Sequence, residues 1–263
     1  SRRALMASAA LLGAGALTAA RAPRAAADPN DPAYDVLVFS RTAGFRHDSI
    51  DEGVAALREL GAGNNFTVTA TEDPAAFNAG NLARYEAVVF LHTTGDVLNA
   101  AQQTAFEGYI GGGGGYLGVH AAADTEYGWP WYGGLAGAWF ASHPAIQPAT
   151  ITVEDHGHPA TAHLGATWRR TDEWYNFRAN PRPAVNVLLS LNESSYSGGT
   201  MNGDHPIAWY HEYAGGRAFY TGLGHTAASY AEAAFRAHLL GGLRWAAGVA
   251  TAAAAPDRRG ATP

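Results

Sequence analysis

The sequence predicts an α/β fold: a doubly wound, mostly parallel sheet flanked by helices, with loop-rich β insertions in the second half. Three observations predict it. Short continuous apolar runs, Val36–Ser40, Ala87–Leu91 and Tyr116–Val119, have the length and character of strands buried on both faces. Helical periodicity separates them. Past residue 150, strand-like runs follow one another without long helices between them.

Each element follows from local pattern. After Val36–Ser40, a helix from about Ser49 to Leu60 carries Ile50, Val54, Leu57 and Leu60 on one face. Phe66–Thr71 is rich in Thr and Val between turn signals and reads as a strand. Asn99, with Gln102 three residues on, predicts a capped helix to about Ile110. The five glycines Gly111–Gly115 enter Tyr116–Val119, which stops at His120. Thr150–Glu154, Val185–Leu191, Ile207–Tyr210 and Arg217–Tyr220 read as strands, and a closing helix spans about Tyr230–Ala247. The glycines and prolines between 128 and 206 predict loops or an insertion over the sheet.

A chain of 263 residues, 47% hydrophobic, can bury a sizeable core. Residues 28–250 read as one α/β domain. Arg2-Arg3, an apolar run to Ala20 and Ala25-Ala26-Ala27 read as a twin-arginine export signal over residues 1–27, predicting a secreted protein. That run is too short for a membrane span. Residues 251–263 read as a disordered tail of small residues. Removing 1–27 takes out four arginines and no acids, moving the net charge from −6 to −10. With no basic stripe, nucleic acid is not an expected partner. The chain has no cysteine, which excludes disulfides, thiolate ligands and Cys nucleophiles. It also has no lysine, which removes Schiff-base chemistry.

Titratable residues recur at predicted strand ends: Arg46-His47-Asp48, His92 with Asp96, and His120 with Asp124. His143, Asp172-Glu173 and His225 follow further on. In a parallel sheet the first three groups share one rim, where ligands bind in open α/β folds. Imidazole and carboxylate are zinc ligands when thiolates are absent, and they are also common acid–base groups. Each has a plainer role available. His47 can join Asp48 in capping a helix, and His92 can be an ordinary loop histidine. His156, His158, His163 and His211 read as surface groups, and His238 as a packed helix residue. Trp129, Trp131, Tyr132, Trp174 and Tyr175 could pack in the core or offer flat faces to a sugar. There is no P-loop, dinucleotide fingerprint, G-x-S-x-G elbow or H-E-x-x-H.

Six ordered stretches carry a resemblance. They are Phe45-Arg46-His47-Asp48-Ser49-Ile50, Phe90-Leu91-His92-Thr93-Thr94-Gly95-Asp96, Gly118-Val119-His120-Ala121-Ala122-Ala123-Asp124, Gly137-Ala138-Trp139-Phe140-Ala141-Ser142-His143-Pro144, Thr171-Asp172-Glu173-Trp174-Tyr175 and Gly216 to Thr226. Across Tyr34–Gly248 the chain resembles the ThuA-like family, named for trehalose utilisation. The resemblance implies a class I glutamine amidotransferase-like, flavodoxin-like fold. That fold keeps a nucleophilic cysteine at the turn where this chain has His120, so thiolate amidotransferase chemistry is excluded. It also implies disaccharide-related function and, in some members, a metal near this turn.

The expectation is an exported carbohydrate-acting enzyme, a hydrolase or lyase using metal-assisted hydrolysis or elimination on a glycoside or keto-sugar. His120, Glu173, Asp124 and His225 are the candidate catalytic residues. His47, His120, His143 and Glu173 are the candidate ligands of a divalent metal, with zinc favoured. Trp129, Trp131, Tyr132, Trp174, Tyr175 and Asp96 are the candidate sugar contacts. A non-catalytic sugar-binding module is the alternative, and a structural domain on a reused fold is a third. The oligomeric state is left open.

Overall fold

A computed structural model describes residues 32–250. The export-signal and tail readings, residues 1–27 and 251–263, lie outside the described residues. The first half alternates strand and helix: β1 (Tyr34–Phe39), α1 (Ile50–Gly63), β2 (Phe66–Thr71), α2 (Ala79–Leu82), β3 (Ala87–Leu91), α3 (Ala100–Gly111) and β4 (Gly115–Val119). A 3-10 turn, His120–Asp124, follows β4, and then comes α4 (Pro130–Ala136). The second half is mainly β: β5 (Phe140–Ser142), β6 (Gln147–Val153), β7 (Thr167–Asp172), β8 (Asn176–Phe177), β9 (Asn186–Leu191), β10 (Pro206–Tyr213) and β11 (Gly216–Thr221). Two helices close the fold, α5 (Ala227–Ala231) and α6 (Ala233–Ala246).

Nine strands form one sheet in the order β2-β1-β3-β4-β11-β10-β9-β6-β7. β2, β1, β3, β4 and β11 run parallel, and the remaining pairings are antiparallel. β3 and β4 are buried along their whole length because helices cover the sheet. The chain steps one way through α1 and the other way through α3. Right-handed crossovers therefore place those helices on opposite faces. α1 packs with α5 and α6, and α2 with α3. The reversal between β1 and β3 is a topological switch point, and the loops after these strands open onto it.

The capping box at α3 is formed as the spacing predicts. Asn99 accepts from the Gln102 N–H at 3.1 Å, and Gln102 accepts from the Asn99 N–H at 2.8 Å. The second half differs from expectation in three ways. The predicted insertion is instead a continuation of the sheet, since β10, β9, β6 and β7 add to it edge to edge. β7 was not predicted, because its buried face is Trp168, Arg170 and Asp172, alternating with exposed residues but largely polar. The closing helix is broken at Glu232, whose backbone is extended. There its side chain accepts the Trp168 indole N–H and pairs with Arg170.

Two histidines read as surface groups are buried. His158 lies against Tyr210, Phe219 and Trp245, and His211 sits within 3.0 Å of the Gly134 carbonyl. Polar sequence neighbours mislead here because alternate strand and turn positions face opposite ways. His238 is packed, as its helix position predicts.

Candidate metal centre

Five segments deliver side chains to the rim at the carboxyl ends of the parallel strands. The loop after β1 brings His47, β3 ends at His92, β4 ends at His120, β11 leads to His225, and β7 leads to Glu173. His92 and His120 both adopt left-handed backbone, φ 53° and 50°. Non-glycine residues are uncommon there, and such strain clusters at functional sites. The two turns brace one another. Gly95 N–H donates to the Asp124 carbonyl at 2.8 Å, and Gly95 bridges Thr125.

His120 is fixed at both ends. Its Nδ1 faces the Gly222 carbonyl at 2.9 Å, and its own carbonyl accepts the Tyr220 hydroxyl at 2.8 Å. A carbonyl can only accept, so Nδ1 carries a proton and Nε2 is the ring nitrogen turned inward. There it meets His225 Nδ1 at 3.1 Å and Glu173 Oε2 at 3.3 Å, while His225 Nδ1 lies 3.2 Å from the same oxygen. Tyr175 lies across the His120 ring at 4.0 Å between centroids. Each of His47, His120, Glu173 and His225 offers one ligand atom, all within 4.8 Å of one another.

One buried carboxylate organises this group. Asp172 accepts the backbone N–H of Glu173 at 3.1 Å, of Gly224 at 2.8 Å and of His225 at 3.1 Å. Gly224 turns the chain with φ 103°, where a side chain would also meet the Phe235 ring. The Ser49 hydroxyl holds the His225 carbonyl at 2.7 Å. Asp172 is one residue from a predicted site residue. Nothing in the sequence separates its inward-facing role from that of Glu173.

The charges follow from burial set against neighbours. Burial and the adjacent His120 and His225 lower His47 to about 3, so its imidazole is neutral. Burial pushes the Glu173 carboxyl up, but hydrogen bonds from His120 and His225 outweigh it and hold the group well below the usual carboxylate range. Burial pushes His225 down, and the Glu173 carboxylate more than reverses this, raising it. His92 stacks on His47 at 4.8 Å and is held neutral by burial and by His120.

The donor set suits a divalent metal ion. Three imidazoles and a carboxylate are zinc-type ligands, and the set also matches ferrous iron. Bonds of about 2.0–2.1 Å in a tetrahedral site give ligand-to-ligand edges of about 3.3 Å. The three closest donor atoms here are 3.1, 3.2 and 3.3 Å apart. Two ring nitrogens and a carboxylate oxygen this close can share a proton or hold a metal ion. Buried His47 Nδ1 has no hydrogen-bond partner, as a ligand atom would not.

The other predicted site residues are placed as follows. His143 is outside the donor group: it is 43% exposed and its Nδ1 lies 3.0 Å from Glu173 Oε1, the oxygen away from His120 and His225. His225 takes the place expected for it. Asp124 is also outside the group, and its carboxylate accepts the Tyr127 hydroxyl. Asp96 is exposed. Tyr132 and Trp174 are fully buried, and Trp129 is nearly so, stacked between Trp131 and Tyr132. Trp131 packs edge-on against Phe106 and Tyr213. Core packing therefore takes up the faces of Tyr132 and Trp174 expected for a sugar: Tyr132 lies on α4, which packs against β11, and the buried Trp174 indole donates to the Gln147 carbonyl at 2.8 Å. Tyr175 alone of this set touches the cluster.

Solved structures share the fold. A ThuA-like protein from Bacteroides uniformis ATCC 8492 is 27% identical with a TM-score of 0.71, covering 82% of this chain and 92% of that one. A ThuA-like protein from Parabacteroides merdae ATCC 43184 is 21% identical with a TM-score of 0.69, covering 86% and 94%. A beta-galactosidase from Bacillus circulans sp. alkalophilus has a TM-score of 0.55 at 13% identity, matching 82% of this chain but 31% of its own length, a likeness of fold alone. No curated protein matches the chain. Residues 35–246, the described fold from β1 to the end of α6, match the family ThuA, trehalose utilisation, and the chain belongs to that family.

Proposed function

We propose that this protein is an exported carbohydrate-acting enzyme that cleaves a glycoside or keto-sugar by metal-assisted hydrolysis or elimination. The observation that carries the reading is the convergence of His47, His120, Glu173 and His225 in a family described by trehalose utilisation. A divalent ion held there supplies Lewis acidity toward a sugar carbonyl or hydroxyl oxygen. The chain's own groups do the rest. Neutral His47 binds without first losing a proton, His120 turns its Nε2 inward, and ionised Glu173 balances positive charge. His143, exposed and 3.0 Å from Glu173, stands between the cluster and solvent, positioned to move a proton to or from a bound sugar. Hydrolysis and elimination differ in whether water or the removal of a C–H proton completes the step.

Elemental analysis of the purified chain tests the metal, with about one zinc or iron per protein expected. Turnover of trehalose, related glycosides and their keto derivatives is expected to stop in chelator and to return with the ion. The His120→Ala protein is expected to lose turnover while still binding sugar. No stoichiometric metal together with full turnover in chelator removes the metal reading. A sugar-binding module predicts no turnover in either protein. Export is tested by fusing residues 1–27 to a reporter, whose translocation is expected to stop when Arg2 and Arg3 are both changed to Lys.

A further inference from the structure

Among the described residues, two large apolar side chains stand exposed, Phe45 at 66% and Ile146 at 47%. A lone exposed apolar residue is ordinary. Phe45 is unusual for where it stands and how firmly it is held. Its ring lies 4.9 Å from the His47 ring, edge to face at 87°, so it borders the metal-donor group. The loop around it is tied on both sides. Ala43 N–H donates to the Thr94 carbonyl at 2.7 Å, and Gly44 N–H donates to Thr94 Oγ1 at 3.2 Å. Thr94 Oγ1 in turn donates to the Phe45 carbonyl at 2.8 Å, and Arg46 forks onto Glu72 at 2.8 and 3.1 Å. A phenyl ring left two-thirds in water forgoes much of its burial energy.

We propose that Phe45 is a sugar-stacking residue of this site, covering the apolar C–H face of a pyranose held beside the His/Glu group. The assignment rests on the carbohydrate reading above. A ring without donors or acceptors selects a ligand face that also lacks them. The ligand's polar edge needs partners nearby, and exposed Asp48 and His143 supply an acceptor and an imidazole at the same rim. A pyranose has both kinds of surface. The tryptophans and tyrosines expected for this task are largely committed to packing, which leaves Phe45 as the exposed ring at the cluster.

The test uses the zinc-supplemented full chain with trehalose and the two anomers of methyl glucopyranoside, followed by saturation-transfer NMR and calorimetry. Wild type is expected to bind, Phe45→Ala to weaken Kd by about tenfold or more, and Phe45→Trp to retain affinity. Melting temperature and zinc content are expected to stay unchanged in both variants. Binding by Phe45→Ala within about twofold of wild type overturns the Phe45 assignment and leaves the carbohydrate reading standing. Binding of adenosine in preference to any glycoside also overturns it. No glycoside binding by the wild type removes the carbohydrate reading and the assignment together.

Discussion

Asp172 carries no ligand atom of the donor group, yet it sets two residues that do. Its carboxylate holds the backbone of Glu173 and His225 at once, with Gly224 between strand and loop. An Asn here keeps one acceptor oxygen and turns an amide N–H₂ toward backbone donors, which cannot pair with it. Asp172→Asn is therefore expected to weaken zinc binding by about tenfold or more, the scale of lost outer-shell contacts. Calorimetric titration checks this, and an unchanged zinc Kd counts against the positioning role. The motif stretch containing Asp172 and Glu173 was legible in the sequence. Which of the two carboxylates faces the imidazoles was not, because adjacent residues at a strand end differ only in direction.

At the scale of elements, the turns after β3 and β4 form one unit, and Glu126 joins them to α3. This buried carboxylate, on left-handed backbone with φ 54°, accepts the N–H groups of Val97 and Leu98 at 2.8 and 2.7 Å and the Gln103 amide at 2.8 Å. Removing it strands two buried donors. Glu126→Ala is expected to destabilise the fold by about 2–4 kcal/mol, read as a lower urea midpoint with an unchanged slope. A loss under about 0.5 kcal/mol would contradict this account. The strands β1, β3 and β4 were legible because continuous apolar runs mark strands buried on both faces. The α3 cap was legible because its hydrogen bonds are local. β7 was hidden because it buries Arg170 and Asp172, which pair with each other, while Arg170 also reaches Ser229 of α5 and Glu232 at the break between α5 and α6.

For the whole molecule, burial of neutral histidines dictates the response to acid. His47, His158 and His238 are each lowered to about 3, first of all by burial. The unfolded chain protonates them near 6.5. Their contribution to stability is therefore present above about 6.5 and is lost as pH falls toward 3. Near pH 5 unfolding takes up about three protons, so stability falls by about 4 kcal/mol per pH unit from these groups. Against a typical total of about 5–15 kcal/mol, the metal-free fold should unfold before all three titrate. Urea midpoints measured from pH 7 to pH 4 check this, and a flat profile would rule it out.

By itself the sequence determined the α/β class, the order of the first four strands with the helices α1 and α3 between them, the absence of thiol chemistry, and which strand ends bear histidines. These are local properties, written in periodicity, caps and composition. Tertiary structure decided that His47, His120, Glu173 and His225 meet while His143 and Asp124 stand aside, and that the tryptophans pack inward while Phe45 stays in water. The physical reason is that the site lies where five chain segments converge on one sheet edge. Strand order, the left-handed turns at His92 and His120 and the inward reach of β7 choose its members, and none of these leaves a local signature in the chain.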